Sequence, residues 1–319
     1  MERDIIFNAG FEARSIDVEG MLGKGFLTRI RALSKVLISS IQSFGIIRDV
    51  RPHLIVGVGG YSSGPVCLVA WLLGIPTAIH EQNSFPGLTN RILAPLAKKV
   101  FISFEESRRY FKRGNPLLSG NPIRDELLHP KPFPRRVDQG FVILVMGGSQ
   151  GARAINRAVV AALKELKTAG LLPFVIHQTG EEDLQTVIDD YHSLGLDGEV
   201  KAFIEDMALA YGRADMVICR AGATTIAELA ALGKPSILIP YPYAAHKHQD
   251  INAEALVAVG GADMILESDL KGTNLATKVK RYMDNREELK RMSSLALKAG
   301  RPRAKEIIVD QLMELLRSA

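Results

Sequence analysis

Six short runs rich in aliphatic and β-branched residues, at 141–146, 173–178, 200–204, 216–219, 236–240 and 263–266, alternate with helical periodicity at 152–167, 181–194, 206–213, 224–232 and 249–259. Strands separated each time by a helix cannot pair as hairpins. They lie side by side in parallel, with the helices covering the sheet faces. Gly195, Gly233 and Gly260 follow three of the helical stretches, where a left-handed stop is needed. The first half repeats the pattern more briefly, with strands at 54–58, 77–80 and 99–103 and helices at 64–73 and 88–97. The stretch 129–140 has three prolines and no apolar period and reads as a linker. Beyond 266 only helices are expected, at 274–284, 286–299 and 303–317. The reading is an α/β chain of two Rossmann-like domains with parallel sheets, 1–136 and 137–319, and 319 residues suffice for two cores.

At 47% hydrophobic and 24% charged residues, the composition excludes a disordered or fibrous chain. The most apolar stretch, 54–79, is broken by Gly59, Gly60, Tyr61, Ser62, Ser63, Gly64 and Pro65 into pieces too short to span a bilayer. The start, Met1-Glu2-Arg3-Asp4-Ile5-Ile6-Phe7, has no basic segment followed by an apolar one and no small-residue cleavage site, so the expectation is cytoplasmic. Two cysteines, Cys67 and Cys219, cannot build a disulfide framework and point to a reducing compartment. The net charge of +5 is concentrated in the first half: residues 1–136 carry 19 Lys and Arg against 11 Asp and Glu, whereas 137–319 carry 21 against 24. A basic half suits nucleic acid, an anionic membrane surface or a phosphorylated substrate, or is simply a solvated face.

The strand at 141–146 runs straight into Gly147-Gly148-Ser149-Gln150-Gly151-Ala152 and a helix. Glycines let backbone approach an anion, and the helix N-terminus offers it free amides and a positive dipole end. The spacing matches neither a GxGxxG fingerprint nor a P-loop with its lysine, which argues for a diphosphate held without a dedicated cation; alternatively it is a tight turn of the kind that many α/β domains carry without a ligand. A second strand-to-helix junction, Arg220-Ala221-Gly222-Ala223-Thr224-Thr225-Ile226-Ala227-Glu228, brings two hydroxyls and a carboxylate. Glu228 fits a pair of sugar hydroxyls, or else closes a capping box with Thr225. His80-Glu81-Gln82-Asn83 and Gly120-Asn121-Pro122-Ile123-Arg124 stand at strand ends, the edge where ligands bind in open α/β sheets; alternatively they only order loops. In the stretch 242–252, His246 and His248 lack a third ligand for a metal, and Gln249 is the residue suited to a sugar. The segment 23–38, with Arg29, Arg31 and Lys35, is a basic amphipathic helix suited to anionic lipid or to an ordinary core-facing role.

In this order, the motifs 59–65, 80–83, 120–124, 147–152, 220–228 and 248–253 make the chain resemble the MurG family, the peptidoglycan N-acetylglucosaminyltransferases of glycosyltransferase family 28. The resemblance implies the GT-B architecture, two Rossmann-like domains with a cleft between them. It implies an inverting transferase that moves N-acetylglucosamine from UDP-N-acetylglucosamine to lipid I, giving lipid II, on the inner face of the cell membrane. The partners are then the nucleotide sugar, the lipid-linked acceptor and an anionic membrane surface, with no nucleic acid, cofactor or metal. Carried over by motif, Ser149 in the loop of Gly147, Gly148 and Gly151 meets the diphosphate, Arg124 the nucleotide sugar and Ile204 the uracil. Glu228 holds the ribose hydroxyls, Ala223, Thr224, Thr225, Ile226 and Ala227 line the nucleotide site, and Asn83 and Gln249 address the N-acetylglucosamine. No residue stands out as the general base.

Members of that family begin with a strand, a glycine-rich loop carrying a histidine, a helix and a second strand, and Met1 matches a point several dozen residues into the pattern. The expectation is a first domain incomplete at its N-terminus, through a start assigned to an internal methionine or through genuine truncation. The alternatives are a related GT-B glycolipid glycosyltransferase, a UDP-N-acetylglucosamine 2-epimerase, or a nucleotide-sugar-binding remnant without turnover.

Overall fold

A computed structural model describes residues 6, 10–18, 26–129 and 140–318, with the backbone alone for 26–34. The chain forms two compact units, one from 1–82, 86–118 and 306–319, the other from 83–85 and 119–305. The linker expected at 129–140 lies outside the described residues except for its two ends.

In the first unit, α1 (Phe26–Val50) precedes β1 (Ile55–Gly57), α2 (Gly60–Leu72), β2 (Thr77–Glu81), α3 (Leu88–Leu93), β3 (Lys99–Ile102) and β4 (Leu117–Leu118). The four strands are parallel in the order β1-β2-β3-β4. All five residues of β2 are buried, as a strand covered on both faces requires. Ile79, Val100 and Ile102 pack with Cys67, Leu93 and Phe111 into the core. Helix α2 starts four residues before the expected 64–73 and carries Pro65 inside it. Gly59 and Gly60, both with left-handed φ (87° and 75°), turn the chain into it, and Ser63 Oγ donates to the Gly59 carbonyl. Helix α1 runs well past the expected 23–38 because Ile47 packs on Val69 and Ala70 of α2. Strand β4, only two residues long, escapes any periodicity argument.

The second unit opens with α4 (Asp125–Leu128) and continues with β5 (Val142–Met146), α5 (Arg153–Thr168), β6 (Phe174–Gln178), α6 (Leu184–Leu194), β7 (Gly198–Lys201), α7 (Met207–Arg213) and β8 (Met216–Cys219). Then follow α8 (Ala223–Ala231), β9 (Ser236–Leu238), α9 (His248–Ala258), β10 (Asp263–Met264), α10 (Gly272–Asp284) and α11 (Arg286–Ala299). Its six strands are parallel in the order β10-β9-β8-β5-β6-β7. This sheet matches the sequence reading except at β7, which pairs over 198–201 rather than 200–204. The apolar Ala202-Phe203-Ile204 leaves the ladder and belongs to the loop that follows it. Gly195, Gly233 and Gly260 all take left-handed φ after their helices. Ile155, Val159, Leu163 and Leu166 of α5 pack on Ile143 and Val145 of β5 and on Leu275 and Val279 of α10. The last helix, α12 (Ala304–Arg317), returns the chain from Glu306 onward to the first unit, within which Ile308 and Leu312 pack against Ala78 and Phe101.

Candidate functional site

Every residue of β5 is buried, and the chain leaves the strand through a loop that only glycine can build. A Cβ on Gly151, whose φ is 77°, would lie 1.9 Å from the Thr179 carbonyl oxygen, and one on Gly147 would lie 2.4 Å from the backbone nitrogen of Ala152. The Gly151 N–H closes the turn on the Gly148 carbonyl at 3.0 Å. Helix α5 then starts with no side chain capping it, and α8 starts behind Gly222 equally uncapped. The amides of both first turns are therefore available to a ligand. The two N-termini share one cavity of about 690 Å³, lined by Gly147, Gly148, Ser149, Gly151, Thr225 and Gln249 among others. Partial positive charge from two helix dipoles over exposed loop backbone suits this cavity to an anion. The cations on its wall are already partnered. Arg220 pairs with Glu267 at 2.5 Å and donates to the carbonyls of Ile239 (3.2 Å) and Pro240 (3.1 Å), while Arg153 pairs with Asp183 (3.0 Å) and Glu182 (3.2 Å).

Glu228 lies on the second turn of α8, buried. Tyr211 Oη donates to its Oε2 at 3.0 Å, and the Arg124 guanidinium stands 3.6 Å from Oε1. Burial pushes this carboxyl above the usual range, and the Tyr211 bond and the Arg124 charge oppose that push. A capping box with Thr225 does not form, since Gly222 is the N-cap and Thr225 is already inside the helix. Of the neighbouring positions, Ile226 is buried, Ala223 and Ala227 are half-buried, and the exposed Thr224 accepts from Asn121 Nδ2 at 3.2 Å.

The other sequence-derived positions are held by hydrogen bonds to remote neighbours. Gln249 Oε1 accepts from the N–H of Ala221 (3.2 Å) and of Tyr241 (3.0 Å), so this side chain faces the cavity with its carbonyl already engaged. Asn83 Oδ1 accepts from Asn252 Nδ2 at 3.2 Å, and the buried Asn252 also accepts from the Ser84 N–H at 2.9 Å. Ile204 is buried, its N–H donated to Gln178 Oε1 at 2.9 Å. The cavity thus gathers Ser149, the three loop glycines, Thr225 and Gln249, while Asn83, Arg124, Ile204 and Glu228 stand outside its lining.

In the first unit, His80 Nε2 lies 3.3 Å from Ser103 Oγ. Glu81 Oε2 accepts from the Gly87 N–H (3.0 Å) and Asn90 Nδ2 (2.9 Å). The Glu81 contacts order the turn into α3. Among the described residues no cluster of His, Cys, Asp or Glu is arranged to hold a metal. His248 Nδ1 donates to the Ala245 carbonyl at 2.8 Å, and His246, at φ 53°, lies beside the Phe85 ring.

Two supporting groups gave no sequence signal. Tyr211 sits inside α7 and reads as core, and Gln178 reads as the last residue of a strand. A third, His177, is fully buried between Tyr191 Oη (3.1 Å) and Asn156 Oδ1 (3.2 Å), and burial lowers its pKa to about 3, which keeps it neutral. Asn156 Nδ2 donates to the Thr179 carbonyl at 2.9 Å, the same oxygen against which Gly151 packs.

The glycosyltransferase family 28 N-terminal domain model matches residues 1–102 and the family's C-terminal domain model matches 142–308. A relative from Myxococcus xanthus, named UDP-N-acetylglucosamine–N-acetylmuramyl-(pentapeptide) pyrophosphoryl-undecaprenol N-acetylglucosamine transferase, is 44% identical over 316 residues, 99% of this chain and 82% of its own length. The crystal structure of Acinetobacter baumannii MurG superposes with a TM-score of 0.81 at 31% identity, covering 98% of this chain and 88% of that one. A UDP-GlcNAc 2-epimerase from Neisseria meningitidis, solved with UDP-GlcNAc bound, reaches a TM-score of 0.64 at 14% identity over 98% of this chain and 89% of that one, a likeness of fold alone.

Proposed function

The chain belongs to glycosyltransferase family 28, and from that premise we propose that it transfers N-acetylglucosamine from UDP-N-acetylglucosamine to the C4 hydroxyl of lipid-linked N-acetylmuramoyl-pentapeptide, converting lipid I to lipid II. The hydroxyl oxygen attacks the anomeric carbon, the bond from that carbon to the β-phosphate oxygen breaks, configuration inverts, and UDP leaves with the electron pair. The hydroxyl proton passes to a base that these residues do not identify. The observation that carries the donor half is the cavity at which the glycine loop and two uncapped helix N-termini converge. Such a cluster of fixed amides stabilises the charge growing on a departing diphosphate without a metal. In this reading the donor belongs to 137–319 and the acceptor to 1–136.

Ser149 and its glycine neighbours take the diphosphate, and Thr225 sits beside them on the cavity wall. Glu228, with one oxygen held by Tyr211, offers the other to ribose hydroxyls while Arg124 balances its charge near the nucleotide sugar. Ile204 meets the uracil, Ala223, Thr224, Ile226 and Ala227 line the nucleotide, and Asn83 with Gln249 addresses the N-acetylglucosamine. Work on a lipid-linked acceptor places the protein peripherally on the inner face of the membrane, and no described helix is long and apolar enough to cross it. Leu37, Ile41 and Phe44, exposed on α1, are the apolar side chains suited to that contact, and nucleic acid has no part in the reading.

Incubation with radiolabelled UDP-N-acetylglucosamine, with and without a lipid I analogue, tests it. Label is expected in the lipid fraction only when acceptor is present. Conversion of the nucleotide sugar to its 2-epimer without acceptor overturns the reading in favour of the epimerase, and nucleotide-sugar binding without any turnover leaves a binding protein.

A further inference from the structure

Gln178, the last residue of β6, is 5% exposed and uses both ends of its amide in opposite directions. Its Nε2 donates to the Gly148 carbonyl at 2.9 Å, and its Oε1 accepts the Ile204 N–H at 2.9 Å. The partners fix which end is which, because a carbonyl needs a donor and an N–H an acceptor. Neither contact is local, since Gly148 lies 30 residues before Gln178 and Ile204 lies 26 after it. We propose that Gln178 is a positioning residue for the donor: it sets the spacing between the phosphate loop and the segment around Ile204, so that one uridine nucleotide meets both at once. The proposal rests on the reading above, in which that loop takes the diphosphate and Ile204 the uracil.

The surroundings show what depends on this amide and what does not. The backbone of 201–202 is already carried along β6 beyond the regular ladder, with Thr179 N–H donating to the Lys201 carbonyl (2.9 Å) and Gly180 N–H to the Ala202 carbonyl (3.0 Å). That zipper stops at Ala202, and the Gln178 to Ile204 bond extends the registry two residues further, to the buried Ile204. On the other side the Gly148 carbonyl accepts from Gly151 N–H (3.0 Å) as well as from Gln178. The loop therefore keeps its own turn without Gln178, and Asn156 still anchors the Thr179 carbonyl on which Gly151 rests. Loss of the amide leaves each half-site formed and frees the distance between them. Binding a bridging ligand depends on that distance, because two anchored halves act as one site only when their spacing is preset. A ligand that touches one half alone does not feel it.

Two variants test this. Gln178→Met keeps the volume and removes both bonds. Gln178→Glu keeps the acceptor for Ile204 and sets a carboxylate oxygen against the Gly148 carbonyl. Calorimetry with UDP, uridine and inorganic pyrophosphate is run on each variant and on the wild-type chain, beside thermal denaturation and donor kinetics. The expected result is a 10- to 100-fold loss of UDP affinity in both folded variants, with uridine and pyrophosphate each within about threefold of wild type, and a donor KM that rises more than kcat falls. UDP affinity within twofold of wild type overturns the inference alone. A loss of uridine and pyrophosphate binding in proportion to UDP also overturns it, because Gln178 is then part of the general scaffold. A wild-type chain that binds no uridine nucleotide overturns the functional reading and this inference with it.

Discussion

The two units each contain a strand that runs through a glycine pair into a helix: β1, Gly59-Gly60 and α2 in one, β5, Gly147-Gly148 and α5 in the other. The local chemistry is nearly the same, and neither helix has a side-chain cap. Their places in the sheets differ. Strand β5 lies inside its sheet, between β8 and β6, and the crevice beyond its carboxyl end is where the order of strands reverses. Among the described residues strand β1 ends its sheet, with Val56 and Val58 exposed. The helices differ in the same sense. Helix α5 buries its large apolar residues or packs them against the core and exposes only Arg, Ala, Lys, Glu and Thr, whereas α2 leaves Trp71 and Leu72 largely in solvent. The glycine turn after β5 opens on a cavity walled by neighbouring segments, whereas the described residues around the turn after β1 include exposed apolar side chains.

The largest effect expected comes from adding one methyl group to each loop. Gly151→Ala combines a left-handed φ with a backbone oxygen 1.9 Å from the new Cβ, and it is expected to cost about 2–5 kcal/mol of stability and abolish UDP binding. Gly59→Ala shares the positive φ but meets nothing nearer than Asn90 Nδ2 at 3.3 Å, so about 1–3 kcal/mol is expected, with UDP binding kept. Equal losses in chemical denaturation would break the contrast between the units. Next, Glu228→Ala is expected to weaken UDP binding by about 1.5–3 kcal/mol by calorimetry, as for a buried charged acceptor. Unchanged affinity in a folded variant would remove the ribose role.

That carboxyl also gives the site a pH signature. Because burial raises its folded pKa, UDP affinity should fall on acidification from a higher pH than an exposed glutamate would set, and Glu228→Gln should lack this acid limb. The ligand-free protein moves the other way. A raised folded pKa contributes stability that is present below the unfolded value and lost as pH rises through the folded one.

The smallest effect concerns the first unit. Co-sedimentation with anionic vesicles is expected to be weak and salt-sensitive, and to drop a fewfold when Arg29, Arg31 and Lys35 are replaced by Gln, because salt screens most of the attraction of exposed charges. Lys35 already pairs with Asp17 at 3.4 Å, which reduces its share. Binding indifferent to both salt and the substitutions would remove the electrostatic part and leave Leu37 and Ile41 as the contact.

The contrast also marks what was legible in the chain. The strand, glycine loop and helix at 141–167 could be read because each signal is local: an apolar run, a glycine cluster, then a helical period. Ser149 and Glu228, the residues proposed for the donor, are read from the same kind of strand-to-helix junction, and of the two only Ser149 lines the cavity. Gln178 could not be found this way, since it is one polar residue closing an apolar strand and its meaning lies in partners remote along the chain. Tyr211 was hidden for the same reason, as a buried aromatic whose hydroxyl matters only for what Glu228 does. The slip at β7 is of another kind: Phe203 and Ile204 continue an apolar run, and nothing in sequence tells a strand residue from a buried loop residue. The basic segment expected at 23–38 stops short of Ile41 and Phe44, whose exposure depends on what packs against α1 and not on helical spacing.

Helix α12 has a kinetic consequence. Its Ile308 and Leu312 cover Ala78 and Phe101, and Lys99 Nζ reaches Gln311 Oε1 at 2.7 Å across a separation of 212 residues. During synthesis at roughly 5–20 residues per second, the sheet face bearing Ala78 and Phe101 leaves the ribosome on the order of 10–40 seconds before the helix that covers it exists. The contact is among the most distant along the chain, and its loop closure must wait while the second unit, whose sheet and core come from a continuous stretch, folds. The unit translated first is thus completed last, and in that interval its uncovered apolar face is the part of the nascent protein most exposed to a chaperone or to aggregation.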